Sequence, residues 1–530
     1  MSAWSPLQYR VYRILWIALL ASNIGTWMQA VGAAWMMVQL NASPAIVALV
    51  QTATYLPVVF VGVLAGAAAD MVERRRLLLI TQGFMFAAAG GLAVLAAFGA
   101  VTPLLLLSFT FALGLGATFN FPAWQAIQPE LVPAHELKQA VTLGGANINL
   151  GRAIGPAIGG LLIAAAGPWL VFALNAASFG FVLIVLWRWK RPVEEVVGPP
   201  ERFAGAVRAG VRYAMFSHIL RGVLVRSFAF GVASAGLMSL LPVYASQVLG
   251  WGSGGLGLLF AAMGAGAVVT AAVLPRVREH LSADRVFAVG SALVAAALVA
   301  LALVHGPALA VLTTFLAGVG WLFCLSTLNV ASQEVLPGWV RARGLALYLT
   351  AISAGIALGS ALWGKLATST SVPAAYAWSA LVIVVTVALA WHWRFDRIAE
   401  VDLRPAPMAA PEARLVDDED AGSPALVVVA YQVRPEAEDE FLRALRLVGR
   451  VRRRTGATDW SVYRDADKPH RFIETFVLPS WDEHMRQHQR RTVTDLELQR
   501  ELHQFLQDGT EPTAKHYVAP PEPSMRLWMR

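Results

Sequence analysis

Long runs without charged side chains dominate the first three quarters of the chain. They cover residues 14–69, 77–129, 139–187, 227–275, 286–333 and 344–393, and only Arg152 and Lys365 interrupt them. A membrane-spanning helix needs about 20 apolar residues, so each run is long enough for two helices. The pattern therefore predicts an all-α polytopic membrane protein with twelve transmembrane helices in two six-helix halves.

The predicted spans divide the chain into domains. Residues 1–190 form the first half and residues 222–396 the second, with residues 191–221 between them. Within that segment, residues 201–221 are predicted to form an amphipathic helix on the cytoplasmic membrane surface. The apolar residues at helical spacing are Phe203, Val207, Val211 and Met215, and the arginines Arg202, Arg208 and Arg212 lie elsewhere on the helix. The predicted spans are 14–40, 45–69, 77–98, 103–121, 139–166, 168–187, 222–247, 253–275, 286–304, 307–330, 343–367 and 373–394.

The positive charges have a sided distribution. The formal net charge is +8, and Lys and Arg concentrate at the termini and in alternate loops, such as Arg74–Arg76 and Arg341–Arg343. By the positive-inside rule, both termini and these loops are cytoplasmic, and the protein resides in the cell membrane with the lipid bilayer as its partner. Dispersed charge of this kind does not favour nucleic-acid binding. One cysteine, Cys324, excludes a disulfide within the chain.

The fifth predicted span carries an unusual stretch, NINLGRAIGPAIGG. Gly151, Gly155 and Gly159 line one helix face without side chains, which allows close approach of a neighbouring helix. Pro156 cannot donate a hydrogen bond to the carbonyl of Arg152, so the helix is weakened beside a charge at mid-depth. Two interpretations remain open: a moving transporter helix, or tight packing with Arg152 bonded to a carbonyl.

An internal repeat has an offset of 204 residues, since Glu130-Leu-Val-Pro133 aligns with Glu334-Val-Leu-Pro337. The same offset aligns Gly151, Gly155 and Gly160 with glycines of the eleventh span, whereas Ile356 and Ser360 replace the arginine and the proline. Halves in the same orientation are related by an axis along the membrane normal.

After the last span the composition changes. Residues 397–424 are rich in Pro, Ala and acidic residues and predict a linker. Residues 425–530 show a β-α-β-β-α-β order, which predicts a small cytoplasmic ferredoxin-like domain.

The chain resembles the major facilitator superfamily on two motifs. The loop between spans 2 and 3 contains Gly66, Asp70, Arg74 and Arg75 of the family signature, with Met71 and Glu73 as departures, and Gly151–Gly160 is similar to the exporter signature of span 5. The stretches SNIGTWMQ, FPAWQAIQPELVP and NINLGRAIGPAIGG resemble siderophore and drug exporters called transmembrane secretion effectors, a group that includes enterobactin exporters. SWDEHMRQHQR in the tail is similar to antibiotic-biosynthesis-monooxygenase domains of the dimeric α/β-barrel kind.

The resemblance implies alternating access with residues in named roles. Asp70 belongs to a charge network at the cytoplasmic gate, although this loop is also consistent with a simple turn anchor. The full set of expected gating residues is Gly66, Asp70, Arg74, Arg75, Gly151, Gly155, Pro156, Gly159 and Gly160.

Candidate residues for proton coupling and for substrate binding are identified by their positions in the predicted spans. Glu130 and Glu334, at the ends of spans 4 and 10, are candidates for proton coupling, although capping of the loop is the favoured role for Glu130. Polar side chains on apolar spans are expected to bind substrate near the midplane. These are Asn23, Gln29, Asn120, Asn147, Asn149, Arg152 and Asn329.

The predicted function is secondary-active export of a small amphiphilic siderophore or drug, by proton antiport. The alternatives are an uptake carrier of the same fold and a membrane-tethered sensor or enzyme acting through the tail. His484 and His488 lie one helical turn apart, but without a third ligand a packed or solvated face is favoured over a metal. We expect no cofactor, no metal and no catalytic residues, and the tail is expected to regulate or dimerise.

Overall fold

The computed structural model describes residues 4–189, 203–303, 306–390, 394–395, 401–406 and 421–520. The chain divides into two compact units. The first comprises Met1–Pro200, Val223–Val330 and Ala346–Asp396, and the second comprises Glu201–Gly222, Ala331–Leu345 and Arg397–Arg530.

The transmembrane part consists of helices joined by short turns. They are α1 Arg10–Gln39, α2 Pro44–Met71, α3 Arg74–Ala97, α4 Pro103–Ile127, α5 Leu137–Ala166, α6 Pro168–Arg188, α8 His218–Ser239, α9 Leu241–Val243, α10 Ser253–His280, α11 Ala283–Leu303, α12 Pro307–Glu334, α13 Arg341–Ser369 and α14 Val372–Ala390. A further short helix, α7 Phe203–Phe216, lies between α6 and α8.

Eleven helices in the described part of the chain are long and apolar enough to cross a membrane. A shorter apolar stretch, Val372–Ala388 in α14, stands where the twelfth span is predicted, and residues 391–393 of that prediction lie outside the described residues. The polytopic helical prediction is confirmed, whereas the count of twelve remains a prediction. The seventh span begins at His218, before the predicted residue 222, and continues through α9 and the π-helical turn Tyr244–Val248.

The two predicted repeats make equivalent helix contacts. Gly155 of α5 lies against α1, and Gly359, its equivalent in α13, lies against α8, where an added Cβ would be 2.3 Å from the carbonyl oxygen of Val232. Gly160 of α5 meets α10, and Gly364 of α13 meets α2. The halves therefore contact each other through the two glycine-bearing helices, as a repeat with one symmetry axis requires.

The tail forms a four-stranded antiparallel sheet in the order β2-β3-β1-β4. The elements are β1 Ala425–Gln432, α15 Glu438–Thr455, β2 Asp459–Arg464, β3 Arg471–Leu478, α16 Trp481–Gln489, α17 Val493–Glu501 and β4 Thr513–Val518. Alternate side chains of β1 and β3 are buried, and with Phe441 and Leu445 of α15 they form the core. The predicted β-α-β-β-α-β order is present. Within the predicted linker, Pro405 bridges to Thr492 of this domain.

The helix between the halves is shorter than the predicted 201–221. On α7, Val211 and Met215 are exposed, as the amphipathic prediction requires, whereas Arg212 and Tyr213 are buried. The side chains of Phe203 and Val207 lie outside the described residues. Arg212, which was expected to be solvated, therefore packs within the second unit, whereas Arg208 is exposed.

Candidate functional site

One face of α5 packs on α1 with no side chain between the two backbones. A Cβ added to Gly155 would lie 2.8 Å from the carbonyl oxygen of Ile24, and one at Gly159 would lie 3.0 Å from Cα of Met28. At Gly151 the same atom would lie 2.8 Å from Cβ of Asn23. The predicted close packing is confirmed, and α5 is one continuous helix through Pro156. The gating role of these residues remains a prediction.

An adjoining face of α5 meets α10, a helix of the second half. A Cβ at Gly160 would lie 2.7 Å from Cα of Gly257, and one at Gly264 would lie 3.0 Å from the carbonyl oxygen of Arg152. The carbonyl that Pro156 leaves without an intrahelical donor thus lies beside a glycine of the other half. α5 is therefore in backbone contact with both halves at once.

Arg152, at the middle of α5, lies between two tryptophans from different halves. Its guanidinium carbon is 5.2 Å from the ring of Trp27 on α1 and 5.0 Å from that of Trp321 on α12. Tyr55 of α2 also interacts electrostatically with it. Among the described residues no carboxylate pairs with Arg152, and its buried Nε has no hydrogen-bond partner. A half-buried cation whose contacts are aromatic rings keeps hydrogen-bonding capacity for an anionic or polar ligand.

Most of the other predicted binding residues are bonded within the protein. Asn23 donates to Asn147 at 2.8 Å, and Asn147 donates to the carbonyl of Trp16 at 2.8 Å, which ties α1 to α5. Asn175 donates to Gln29, and Thr81 and Gln82 donate to Asn120. Such bonds between apolar helices stabilise their packing, so the substrate role of Asn23, Asn147, Gln29 and Asn120 stays a prediction.

Two predicted binding residues differ from this set. Asn149 is half-buried, and it precedes Arg152 by three positions, so both lie on the same side of α5. Asn329 of α12 hydrogen-bonds Tyr348 of α13. The structure therefore groups Arg152 and Asn149, with Trp27 and Trp321 as aromatic walls.

The charged loop between α2 and α3 forms an ion pair that sequence reasoning missed. Arg74 Nη1 lies 2.6 Å from Glu130 Oε1 at the end of α4, and it also donates to the carbonyl of Ala126 at 3.0 Å. The sequence places the two charges 56 residues apart, and only the packing of α3 on α4 brings them together. A predicted gating residue thus pairs with a predicted coupling residue, and the loop-capping role favoured for Glu130 remains a prediction.

Arg75 and Glu73 of the same loop bond to backbone groups at helix ends. Arg75 donates to the carbonyls of Leu186 and Trp187 at the end of α6, where a cation complements the helix dipole. Glu73 accepts from the amides of Arg75 and Arg76 and is the N-cap of α3. A Cβ at Gly66 would meet no atom within 4 Å. Asp70 is the penultimate residue of α2, and its side chain lies outside the described residues.

The residues of the second half that are equivalent to Arg74 and Glu130 differ from them in contacts and burial. Arg278 is the repeat equivalent of Arg74 and donates to Ser326 at 3.0 Å. Glu334, the equivalent of Glu130, ends α12 and is exposed. The sequence symmetry of Glu130 and Glu334 therefore does not extend to their burial.

The tail contains a polar cluster at one side of its sheet. Nε2 of His488 lies 3.3 Å from Nε2 of His484, and His516 of β4 stacks near His484 at 4.9 Å between ring centroids. Burial, and then the charges of His488 and His516, lower the pKa of His484 to about 3. The described residues contain no group of three metal-ligating side chains placed to hold an ion. Both Nδ1 atoms are buried without partners, so the outer bonds that orient metal-binding histidines are missing.

A second buried group in the tail surrounds Glu474. Its carboxylate is fully buried and accepts hydrogen bonds from Tyr431, Arg452 and Trp460. Burial, and then the negative charge of Glu474, raise the pKa of Tyr431. Because every partner is satisfied, the group stabilises one packing of sheet and helix.

Curated relatives of this chain include transporters of siderophores and drugs. The chain is 24% identical over 276 residues to the staphyloferrin A transporter of Staphylococcus aureus, covering 52% of this chain and 69% of that protein. It is 28% identical to the multidrug efflux pump Tap of Mycolicibacterium fortuitum, covering 40% and 54%. It is 27% identical to the enterobactin exporter EntS of Salmonella typhimurium, covering 58% and 74%. The chain thus spans about half to three quarters of these relatives.

Solved structures support the fold. A POT family transporter in complex with a thioalcohol-conjugated peptide superposes with a TM-score of 0.60 at 15% identity, covering 73% of this chain and 96% of that one. At this identity the likeness concerns the fold alone.

The sequence profile described as transmembrane secretion effector, within the major facilitator superfamily, matches residues 1–524. Because this match covers nearly the whole chain of 530 residues, the protein belongs to that family and is a multi-pass membrane transporter rather than an enzyme.

Proposed function

We propose that this protein exports small amphiphilic molecules with a negative or strongly polar group, of the siderophore or drug class, by proton-coupled alternating access. The observation that carries the proposal is Arg152, held between Trp27 and Trp321 without an acidic partner among the described residues. A cation at mid-membrane costs about 2.5–3.5 kcal/mol on insertion scales. An anionic substrate reduces that cost when it binds, so the arginine favours substrate binding even though it is costly in the empty site.

The position of Arg152 also supports alternating access. Trp27 belongs to the first half and Trp321 to the second, so both halves contact the same guanidinium. A ligand that displaces one ring changes the interaction between the halves. Transport requires this link, because a ligand shifts a conformational equilibrium only through different contacts in the two states.

The Arg74–Glu130 pair supports a coupling step at the cytoplasmic gate. Protonation of Glu130 would remove the negative charge that holds Arg74, so the pair can form in one protonation state and open in the other. We propose that this loop is cytoplasmic, as the positive-inside rule predicts, with Asp70 in the same network. Glu334 is the weaker coupling candidate, since it is exposed.

Export is preferred to uptake because relatives named as an efflux pump and an exporter match this chain. The experiment is transport of a catecholate siderophore and of ethidium into inverted membrane vesicles, with Arg152→Ala, Arg152→Lys and Thr314→Ala at equal membrane levels. Accumulation should fall by about tenfold or more in Arg152→Ala, with the larger loss for the anionic probe. Lys should retain part of the activity. Thr314→Ala serves as the polar control, because Thr314 is buried in α12 and bonds only to carbonyls of its own helix. Full activity of both Arg152 variants contradicts the site, and accumulation only in right-side-out vesicles favours uptake.

For the tail we propose a ferredoxin-like domain that pairs with a second copy through the open face of its sheet. The strand order β2-β3-β1-β4, with antiparallel pairing throughout, supports that fold. Leu426, Tyr463 and Tyr517 are exposed on the sheet, at 37%, 57% and 49%, and a paired face would cover them. Light scattering of the detergent-solubilised protein should give a dimer that Tyr463→Lys dissociates. A monomeric wild-type protein contradicts the pairing.

A further inference from the structure

The second unit combines three segments that are far apart in the sequence. It contains α7, the connection between α12 and α13, and the C-terminal domain. Since α7 joins the two halves and α12 and α13 are membrane helices, the C-terminal domain contacts chain segments that connect moving parts. Five residues at the centre of this contact are here called the docking patch: Arg212, Tyr213, Trp339, Glu483 and Arg490.

An acidic residue of the C-terminal domain lies at the centre of the docking patch. Glu483 on α16 accepts from Arg490 with both carboxylate oxygens, and Arg212 of α7 donates to it at 3.3 Å. The side chains of Arg212 and Arg490 are only 11% and 7% exposed. A shared, nearly buried carboxylate of this kind is a stronger link than a surface ion pair.

Aromatic side chains complete the docking patch. Trp339, in the connection between α12 and α13, meets Tyr213 edge-on at 5.7 Å, and the guanidinium of Arg490 lies 4.7 Å from the Trp339 ring. Tyr213 donates to the carbonyl of Val335 at 3.2 Å, and Arg454 of α15 lies 5.4 Å from the Tyr213 ring. The C-terminal domain therefore holds α7 and the α12–α13 connection together.

The contact leaves little freedom between α7 and α13. A Cβ added to Gly210 of α7 would lie 2.9 Å from Cβ of Arg343, in the first turn of α13. Interfaces packed this closely have discrete arrangements rather than a continuous range. A rearrangement of α12 and α13 must either carry the whole unit or separate it at the docking patch.

We propose that the C-terminal domain is a brake on transport: through the docking patch it holds α7 and the α12–α13 connection in one arrangement and slows exchange with the other. The proposal depends on the alternating access proposed above. It predicts that loss of Arg212 or Trp339 speeds transport, because a contact made in only one conformation slows the exit from that conformation.

The first test needs no substrate. In the described structure, a Cβ at Gly62 of α2 would lie 3.5 Å from Oγ1 of Thr350 of α13, so cysteines at these positions are close enough for a disulfide. In a Cys324→Ser background, the yield of the Gly62→Cys/Thr350→Cys cross-link reports the fraction of protein with these helices in contact. We expect Arg212→Gln and Trp339→Ala to lower the yield at least twofold, and Arg500→Gln, at an exposed position of α17, to leave it unchanged.

The second test measures accumulation of the catecholate siderophore and ethidium in inverted vesicles. Arg212→Gln and Trp339→Ala should raise the initial rate about three- to tenfold, and Arg500→Gln should not. Cross-linking unchanged in both docking variants, or a lower yield with an unchanged or slower rate, overturns the brake. If the wild-type protein moves neither probe, the proposed function fails for these substrates, and the cross-link yield alone decides the present proposal.

Discussion

The contact between α5 and α1 gives a sharp test of the packing argument, through replacement of Gly155 by alanine. The added methyl group would lie 2.7 Å from Cβ of Trp27 and 2.8 Å from the carbonyl oxygen of Ile24. Neither atom is the far end of a flexible side chain, so the two helices must separate. Overpacking of this kind costs about 1–3 kcal/mol.

The same helix offers a matched control. Gly145 is exposed, and an added Cβ there meets no atom within 4 Å. Gly145→Ala therefore changes the helix propensity alone, which for alanine is favourable by up to about 1 kcal/mol in a helix interior. The two substitutions make the same chemical change on one helix, so their difference isolates the contact with α1.

The assay can use a reporter that the chain already contains. Cys324, the single cysteine, is fully buried on α12, so a thiol-reactive fluorogenic dye labels it when the bundle unfolds. We expect Gly155→Ala to lower the apparent Tm by on the order of 2–6 °C, at roughly 2 °C per kcal/mol. Gly145→Ala should leave the Tm within about 1 °C of wild type or raise it. Equal Tm values for the two variants would refute the reasoning that α5 needs glycine at this contact.

Two further predictions concern charged and titrating groups. A double-mutant cycle of Arg74→Gln and Glu130→Gln, measured by Cys324 labelling, should give a coupling free energy of about 0.5–1 kcal/mol. The value is small because the pair is partly exposed. Additive effects of the two substitutions would show that the pair contributes nothing to stability. Since the folded pKa of His484, about 3, lies below its unfolded value of 6.5, the unfolded tail binds more protons below pH 6.5 and folding weakens as pH falls. Between pH 7.5 and pH 5 the free energy of unfolding of the tail should fall by about 2 kcal/mol because of this histidine. The measurement is the loss of hydrogen-exchange protection in α16. The exposed control variant His503→Gln should show the same loss, and His484→Gln a smaller one.

The spans were predictable because the cost of charges in lipid is large and local. The predicted fifth span, 139–166, differs from Leu137–Ala166 by two residues, and the repeat alignment anticipated that Gly359 packs as Gly155 does. Several of the boundary errors share one cause. Charge-free runs end at the first arginine, whereas α1 and α3 begin at Arg10 and Arg74, because arginine side chains reach the interface from within a helix.

The partners of the polar side chains were not predictable from the sequence. A single sequence shows that Asn147 is polar on an apolar span, but the distinction between a ligand contact and a bond to Asn23 depends on helix rotation. The same limit applies to Glu130, whose pairing with Arg74 requires the packing of α3 on α4. Arg152 was identifiable because its cost at mid-depth does not depend on its partners, although its aromatic neighbours follow only from the fold.

The two halves share a helix arrangement but carry different chemistry, and the differences fall at equivalent positions. The first copy has the mid-membrane Arg152 and the Arg74–Glu130 pair, where the second has Ile356 and an exposed Glu334. The second copy has Trp339 in the docking patch, where the first has the exposed His135. A helix pair needs similar glycine contacts in both halves to pack, whereas the proposed binding charge and the proposed docking patch each need only one copy. Divergence at these positions is therefore expected if the first half binds and gates while the second receives control from the C-terminal domain.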